Sequence, residues 1–195
     1  MVDYLTHYYR RGTTPFRSLS DLPEAEALAL MAGMYVEGSV IWERFKDPQG
    51  YLRERRETEE WLYAQFVAHG GRPRQHHPIY MVLGSPRWVA RMADPATLAA
   101  TAEIRIPLSA LTDADVSFTY PDSMVTRFVA QAKDPASYQP DYHGRLFTLP
   151  EILAIVAVKG LPDDGWDTGV PDTLAHYIEA QVWNRQPLLP YLPAS

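Results

Sequence analysis

Seventeen prolines, spread along the chain rather than clustered, constrain what this sequence can fold into more than any other feature. Each proline fixes φ near about −65° and removes a backbone donor, so regular elements must be threaded between them. The pattern reads as many short elements joined by defined turns. At 195 residues the chain is expected to form a single globular domain spanning 1–195. The expected class is α+β, a compact domain with a small mixed or antiparallel sheet and about four to five helices.

Between the prolines, the strand signals lie at Tyr4 to Tyr9, at Ile79 to Leu83, at Glu103 to Ile106 and at Val116 to Tyr120. The run Pro78-Ile-Tyr-Met-Val-Leu83 is apolar throughout and ends in Gly84, as suits a strand buried on both faces. Helices are expected from Asp21 to Gly33, from Tyr51 to His69, after Ser85-Pro86, and from a capping box at Thr148-Leu-Pro-Glu151. Leu174, Tyr177, Ile178 and Val182 mark a last amphipathic helix. The longest helix, Tyr51 to His69, has nearly all-charged opening turns with Arg53–Glu57, Arg55–Glu59 and Arg56–Glu60 at i,i+4 spacing. The acids of the loop Asp163 to Asp172 lack the regular spacing of a calcium loop and read as solvated.

Several chemistries are excluded. The chain has no cysteine, hence no disulfide, thiolate nucleophile or cysteine-ligated metal. There is no G-x-S-x-G elbow, no G-x-x-x-x-G-K-[ST] loop and no G-x-G-x-x-G turn. Ser85 and Ser123 are explained by backbone capping. His76 and His77 point to opposite sides of an extended chain, and a site built from His7, His143 and one of them is not selected by spacing over three separately bonded imidazoles. No metal is expected. The N-terminal stretch MVDYLTHYYRR has no apolar core of signal-peptide length and no apolar run approaches membrane-spanning length, so a cytoplasmic location is expected, without membrane partners.

Charge is distributed unevenly. Residues 1–98 carry twelve basic and twelve acidic side chains, residues 99–195 six and twelve, which accounts for the net −6. Two windows contain no acid: Tyr4 to Ser20, with Arg10, Arg11 and Arg17, and Trp61 to Ala93, with Arg72, Arg74, Arg87 and Arg91. If they converge, they form a positive concavity for a small anion, whereas the overall acidity argues against duplex nucleic acid. RRGTT supplies arginine forks, a glycine that lets a backbone come close and threonine hydroxyls, the parts of an anion grip. A polar turn would contain the same residues. The candidate ligand-binding set is His7, Arg10, Arg11, Gly12, Thr13, Arg17, Tyr80 and Arg87.

A first strand with His7, Tyr8 and Tyr9 before Gly12-Thr13, a helix closing in a glycine, and a later strand running into a short helix, Tyr80 to Arg91, resemble the N-terminal half of ADP-ribosyltransferase-like folds. The resemblance covers roughly the first 120 residues and implies NAD as cosubstrate. It would give His7 or Arg11 the first-strand role and Tyr80 that of the middle-strand aromatic. The late-strand glutamate has no holder, because Glu151 and Glu179 fall on predicted helices and the second half contains no Q-x-E or E-x-E pair. The whole chain also resembles members of an uncharacterised bacterial family, which implies no activity.

The expected function is binding of a small phosphate-bearing ligand, a nucleotide or dinucleotide, in an arginine-lined cleft, with transferase activity as the step the resemblance adds. The pyrophosphate would meet Arg10, Arg11 and Arg17, and a ring would stack on Tyr80 or Trp88. The alternative is a non-catalytic interaction or self-association module using the charged helix 51–69. Twelve tyrosines and five tryptophans suit an interface as well as a core.

Overall fold

The structure, a computed structural model, describes residues 2–132, 137–162 and 175–193. The sheet contains β1 (Tyr4–Arg10), β2 (Ile79–Leu83), β3 (Thr101–Pro107), β4 (Val116–Thr119) and β5 (Glu179–Val182). Its order is β3-β1-β2-β5-β4, and every pairing is antiparallel. Six α-helices accompany it among the described residues: α1 (Glu24–Met34), α2 (Pro48–Ala68), α3 (Arg87–Met92), α4 (Pro95–Ala100), α5 (Ser123–Ala132) and α6 (Leu149–Lys159). The protein is a compact α+β fold.

Prolines and their neighbours place several borders. Asp47 accepts from Gly50 N at 3.0 Å and Pro48 opens α2, while Asp94 accepts from Thr97 N at 2.9 Å and Pro95 opens α4. At α6 the expected capping box forms, with Glu151 accepting from Thr148 N at 2.8 Å. Two helices were not legible as such, α4 and α5. Asp122 rather than Ser123 caps α5, accepting from Met124 N at 3.0 Å and Val125 N at 2.9 Å.

The largest correction concerns the C-terminal helix expected over Leu174 to Val182. Leu174 lies outside the described residues, as do Asp163, Asp164, Asp167 and Asp172, and Glu179–Val182 is the strand β5. Wedged between β2 and β4, β5 gains ladder bonds on both sides, which an isolated helical turn could not match. Ile178, Ala180 and Val182 face the main core with Leu5, Ile79, Met81, Phe118 and α6. Glu179, Gln181 and Trp183 take the opposite face, where Trp183 packs on Leu62 and Phe66 of α2.

The charged opening of α2 does not project free of the fold. Arg55 Nε meets Glu59 at 3.0 Å, as the spacing predicts, but Arg56 reaches Glu24 of α1 at 3.0 Å and Glu60 reaches His76 at 2.7 Å. No described helix is long and apolar enough to cross a membrane.

Candidate functional site

A cavity of about 750 Å³ opens beside the sheet on the side that α2 covers, a size typical of small-molecule sites. Its floor is built by Thr6 and Tyr8 of β1, Tyr80 and Val82 of β2, and Glu179 of β5. The registers Thr6↔Val82 and Val82↔Glu179 place three of these in one row across the sheet. One wall comes from Arg44 and Phe45 of a 3-10 turn (Glu43–Lys46) and from Tyr51 and Arg55 of α2. The other comes from Trp88 of α3 and Thr97 of α4. Asp122 and Ser123, at the start of α5, close one end. Trp42 Nε1 donates to Thr97 Oγ1 at 2.7 Å and joins the two walls.

The arginines divide into committed and available groups. Arg55 is tied to Glu59, to Ser20 Oγ at 3.2 Å and Ser18 Oγ at 3.4 Å, and lies 4.5 Å over the Tyr80 ring. Burial opposes its charge, but the Glu59 carboxylate holds it firmly protonated. Arg44 stacks over Trp42 and Phe45, at 5.7 and 5.3 Å, and enters no ion pair with a described residue. Exposed where it lines the cavity, it offers its donor fork to an incoming anion. Arg17 also lines the cavity and is exposed.

Two carboxyl groups interact at the inner end. Burial pushes Glu179 up to about 7, the Asp122 charge adds to this, and donors from Ser123 and Gln181 oppose it. Burial also raises Asp122, against the amides that it caps and the charge of Arg44. The pair therefore shares its titration, with burial raising both carboxyl groups and the backbone donors to Asp122 opposing its rise. Tyr80 and Tyr177 are pushed up by burial and by neighbouring carboxylates, so both phenols stay protonated. The Ser123 hydroxyl interacts with both Tyr80 and Glu179.

Of the residues singled out in the sequence, Arg17, Tyr80 and Trp88 line this cavity. His7 borders it, but its ring is sealed. Nδ1 donates to Tyr80 O at 3.1 Å, and Nε2 accepts the backbone N–H of Phe16 at 3.0 Å, an exchange that fixes the tautomer. The ring fills the fork where the β1–β2 register ends at Thr6↔Val82, and burial lowers it to about 4. A neutral imidazole with both nitrogens engaged is a structural part.

Arg10, Arg11, Gly12 and Thr13 form an exposed turn outside the cavity. Gly12 takes φ 79°, Thr13 N and Oγ1 both bond Arg10 O, and Arg11 Nε donates to Ala99 O at 3.1 Å. Both Thr13 donors of the proposed anion grip close the turn on itself, and Arg11 spends its Nε on the backbone ahead of β3. Arg72, Arg74, Arg87 and Arg91 do not line the cavity either: the two acid-free windows meet there, through Thr6, Tyr8 and Arg17 on one side and Tyr80, Val82 and Trp88 on the other, but bring to it no arginine besides Arg17. His76 and His77 serve Glu60 and Asp21, and among the described residues no group of His, Asp and Glu is placed to hold a metal.

Sequence reasoning did not place Arg44, Arg55 or Asp122 in a site, and it set Glu179 aside because that residue fell on a predicted helix. Glu179 had a signal: Ile178, Ala180 and Val182 alternate with Tyr177, Glu179 and Gln181 at the strand period. Arg44 and Arg55 sit in stretches of mixed sign, where summing charge along the chain conceals them. No protein-family model, curated protein or solved structure matches this chain.

Proposed function

We propose that the cavity binds a small phosphate-bearing ligand, a nucleotide or dinucleotide, and that Glu179 acts on it in a group transfer. The observation that carries this reading is a buried glutamate on a late strand, next to the strand bearing Tyr80, in a cavity that also presents the unpaired Arg44. Glu179 fits the late-strand role that the resemblance to ADP-ribosyltransferase-like folds left without a holder, and Tyr80 fits the middle one. His7 does not fit the first, and Thr6 and Tyr8 are the β1 side chains of the cavity floor.

The chemistry follows from the charges. Arg44 supplies a fork for phosphate, with Arg17 nearer the solvent, while Tyr51, Trp88 and Tyr177 offer faces for a flat ring. NAD, where it is the ligand, supplies a glycosidic C–N bond whose electron pair leaves with neutral nicotinamide, and the cationic sugar left behind is captured by the oxygen of water or of an acceptor hydroxyl, which releases its proton. An ionised Glu179 would stabilise that charge, so turnover should rise with pH through about 7.

Calorimetric titration and melting curves with NAD, ADP-ribose, AMP and pyrophosphate test the reading. Binding is expected for the wild type and Glu179→Gln, with at least tenfold loss in Arg44→Ala. Unchanged melting curves across the panel would remove the ligand reading.

A further inference from the structure

Building on the reading of Glu179 as the reacting carboxyl group, we propose that Gln181 is its positioning residue: the amide holds Oε2 as an acceptor and leaves Oε1, toward the cavity, as the oxygen that exchanges the proton. The side chain of Gln181 is fully buried and does not line the cavity, so it acts through Glu179 and not on a ligand.

The orientation of that amide is set by a group that can only donate. The Trp183 indole N–H, buried with its ring, donates to Ser117 Oγ at 2.9 Å. The Ser117 hydroxyl hydrogen must then point elsewhere, and it goes to Gln181 Oε1 at 3.0 Å. This decides which end of the amide is nitrogen. Gln181 Nε2 donates one hydrogen to Thr119 Oγ1 at 3.0 Å and the other to Glu179 Oε2 at 3.1 Å. The backbone N–H of Ser123 reaches the same Oε2 at 2.9 Å.

Neither donor to Oε2 can accept. A proton on Oε2 would face two N–H groups and sacrifice both bonds in a buried setting. The proton therefore belongs on Oε1, which receives no amide donor and is not among the enclosed polar atoms that lack a partner. One oxygen anchors the side chain and the other meets the ligand. Asp122 and Ser123 face Glu179 from the start of α5, Tyr80 faces it from β2 and Tyr177 from the residues before β5, while Arg44 acts through Asp122 and the Arg55–Glu59 pair through Tyr80. All of these remain in the variants below, so they serve as a constant background.

The test is a site-resolved NMR titration of the Glu179 side-chain carboxyl in the full-length chain without ligand, its signal identified by its loss in Glu179→Gln. Removing one donor from the ionised form should raise the Glu179 midpoint in Gln181→Met by about one pH unit above the wild type. Ser117→Ala frees the amide to turn its oxygen toward Oε2 and should move the midpoint in the same direction. Ser117→Thr keeps the hydroxyl and should titrate as the wild type does. A merely structural role would lower the melting temperature and leave the midpoints alone. A wild-type midpoint in folded Gln181→Met, or equal midpoints in Ser117→Ala and Ser117→Thr, overturns the proposal, and the Ser117 pair decides alone if Gln181→Met does not fold. No ligand enters this experiment, so absent nucleotide binding would sink the reading of the cavity and leave this result standing.

Discussion

His7 on β1 and Glu179 on β5 flank the same strand and are almost equally buried, at 6% and 9% exposure, yet the fold uses them in opposite ways. Both are forced toward neutrality by desolvation, His7 by losing its proton and Glu179 by keeping it. What separates them is the disposition of their polar atoms. Both ring nitrogens of His7 are consumed by backbone groups, Tyr80 O and Phe16 N. Glu179 spends one oxygen on Ser123 N and Gln181 and keeps the other free of amide donors at the cavity. A buried titratable group marks a reactive site when part of its hydrogen-bonding capacity is left open toward a space that a ligand can fill.

The sharpest break between the two is expected in turnover. Glu179→Gln preserves shape but not charge and should lower any nucleotide-dependent transfer about 10²- to 10⁴-fold while ligand-induced melting shifts persist. Single-turnover assays with NAD, scored by nicotinamide release, would check this. His7→Ala should act on stability instead. It leaves a hole beside Phe16 and strands Phe16 N–H and Tyr80 O, for a loss of about 3 kcal/mol in denaturant unfolding with ligand affinity per folded molecule unchanged.

Acidity separates them next. The folded value of His7, about 4, lies below its ordinary 6.5, so its contribution is present above 6.5 and is lost as pH falls toward 4. The folded value of Glu179, about 7, lies above its ordinary 4.5, so its contribution is present below 4.5 and is lost as pH rises toward 7. At about 1.4 kcal/mol per pH unit, each effect is on the order of 3 kcal/mol, and between pH 4.5 and 6.5 the two oppose each other. Glu179→Gln removes one slope. Its unfolding free energy should fall on acidification from 6.5 to 4.5 more steeply than that of the wild type, as guanidinium titrations at both values would show. Parallel curves would mean that the Glu179 proton is not held as described.

The smallest effect is expected at the exposed turn. Arg11→Ala should change neither stability nor nucleotide affinity by more than about 0.5 kcal/mol, because the side chain lies outside the cavity and is exposed. A tenfold loss of affinity in this variant would return the ligand to the RRGTT turn and away from Arg44.

The legible parts of the fold were those with a single dominant local signal. The apolar run at Ile79–Leu83, the alternation at Glu103 to Ile106 and the capping box at Thr148 each specify an element without help from distant residues. β5 was harder because Tyr177, Ile178 and Val182 also satisfy a helical spacing, and the choice is made by ladder bonds to β2 and β4 that come from far along the chain. The site was less legible for the same reason. Arg44, Tyr80, Asp122 and Glu179 are brought together by sheet order and by the placement of α2 and α5, so no window of sequence contains more than one of them. Charge counted by window selected an exposed turn, whereas the cavity pairs arginines with carboxylates drawn from mixed stretches.

ADP-ribose titrated into protein with labelled glutamate and histidine side chains tests the central claim most directly. The account expects the Glu179 carboxyl signal to move saturably and its midpoint to shift, while the His7 ring signals stay in place through saturation. A Glu179 signal that stays fixed while His7 responds, or a titration in which neither moves, would contradict it.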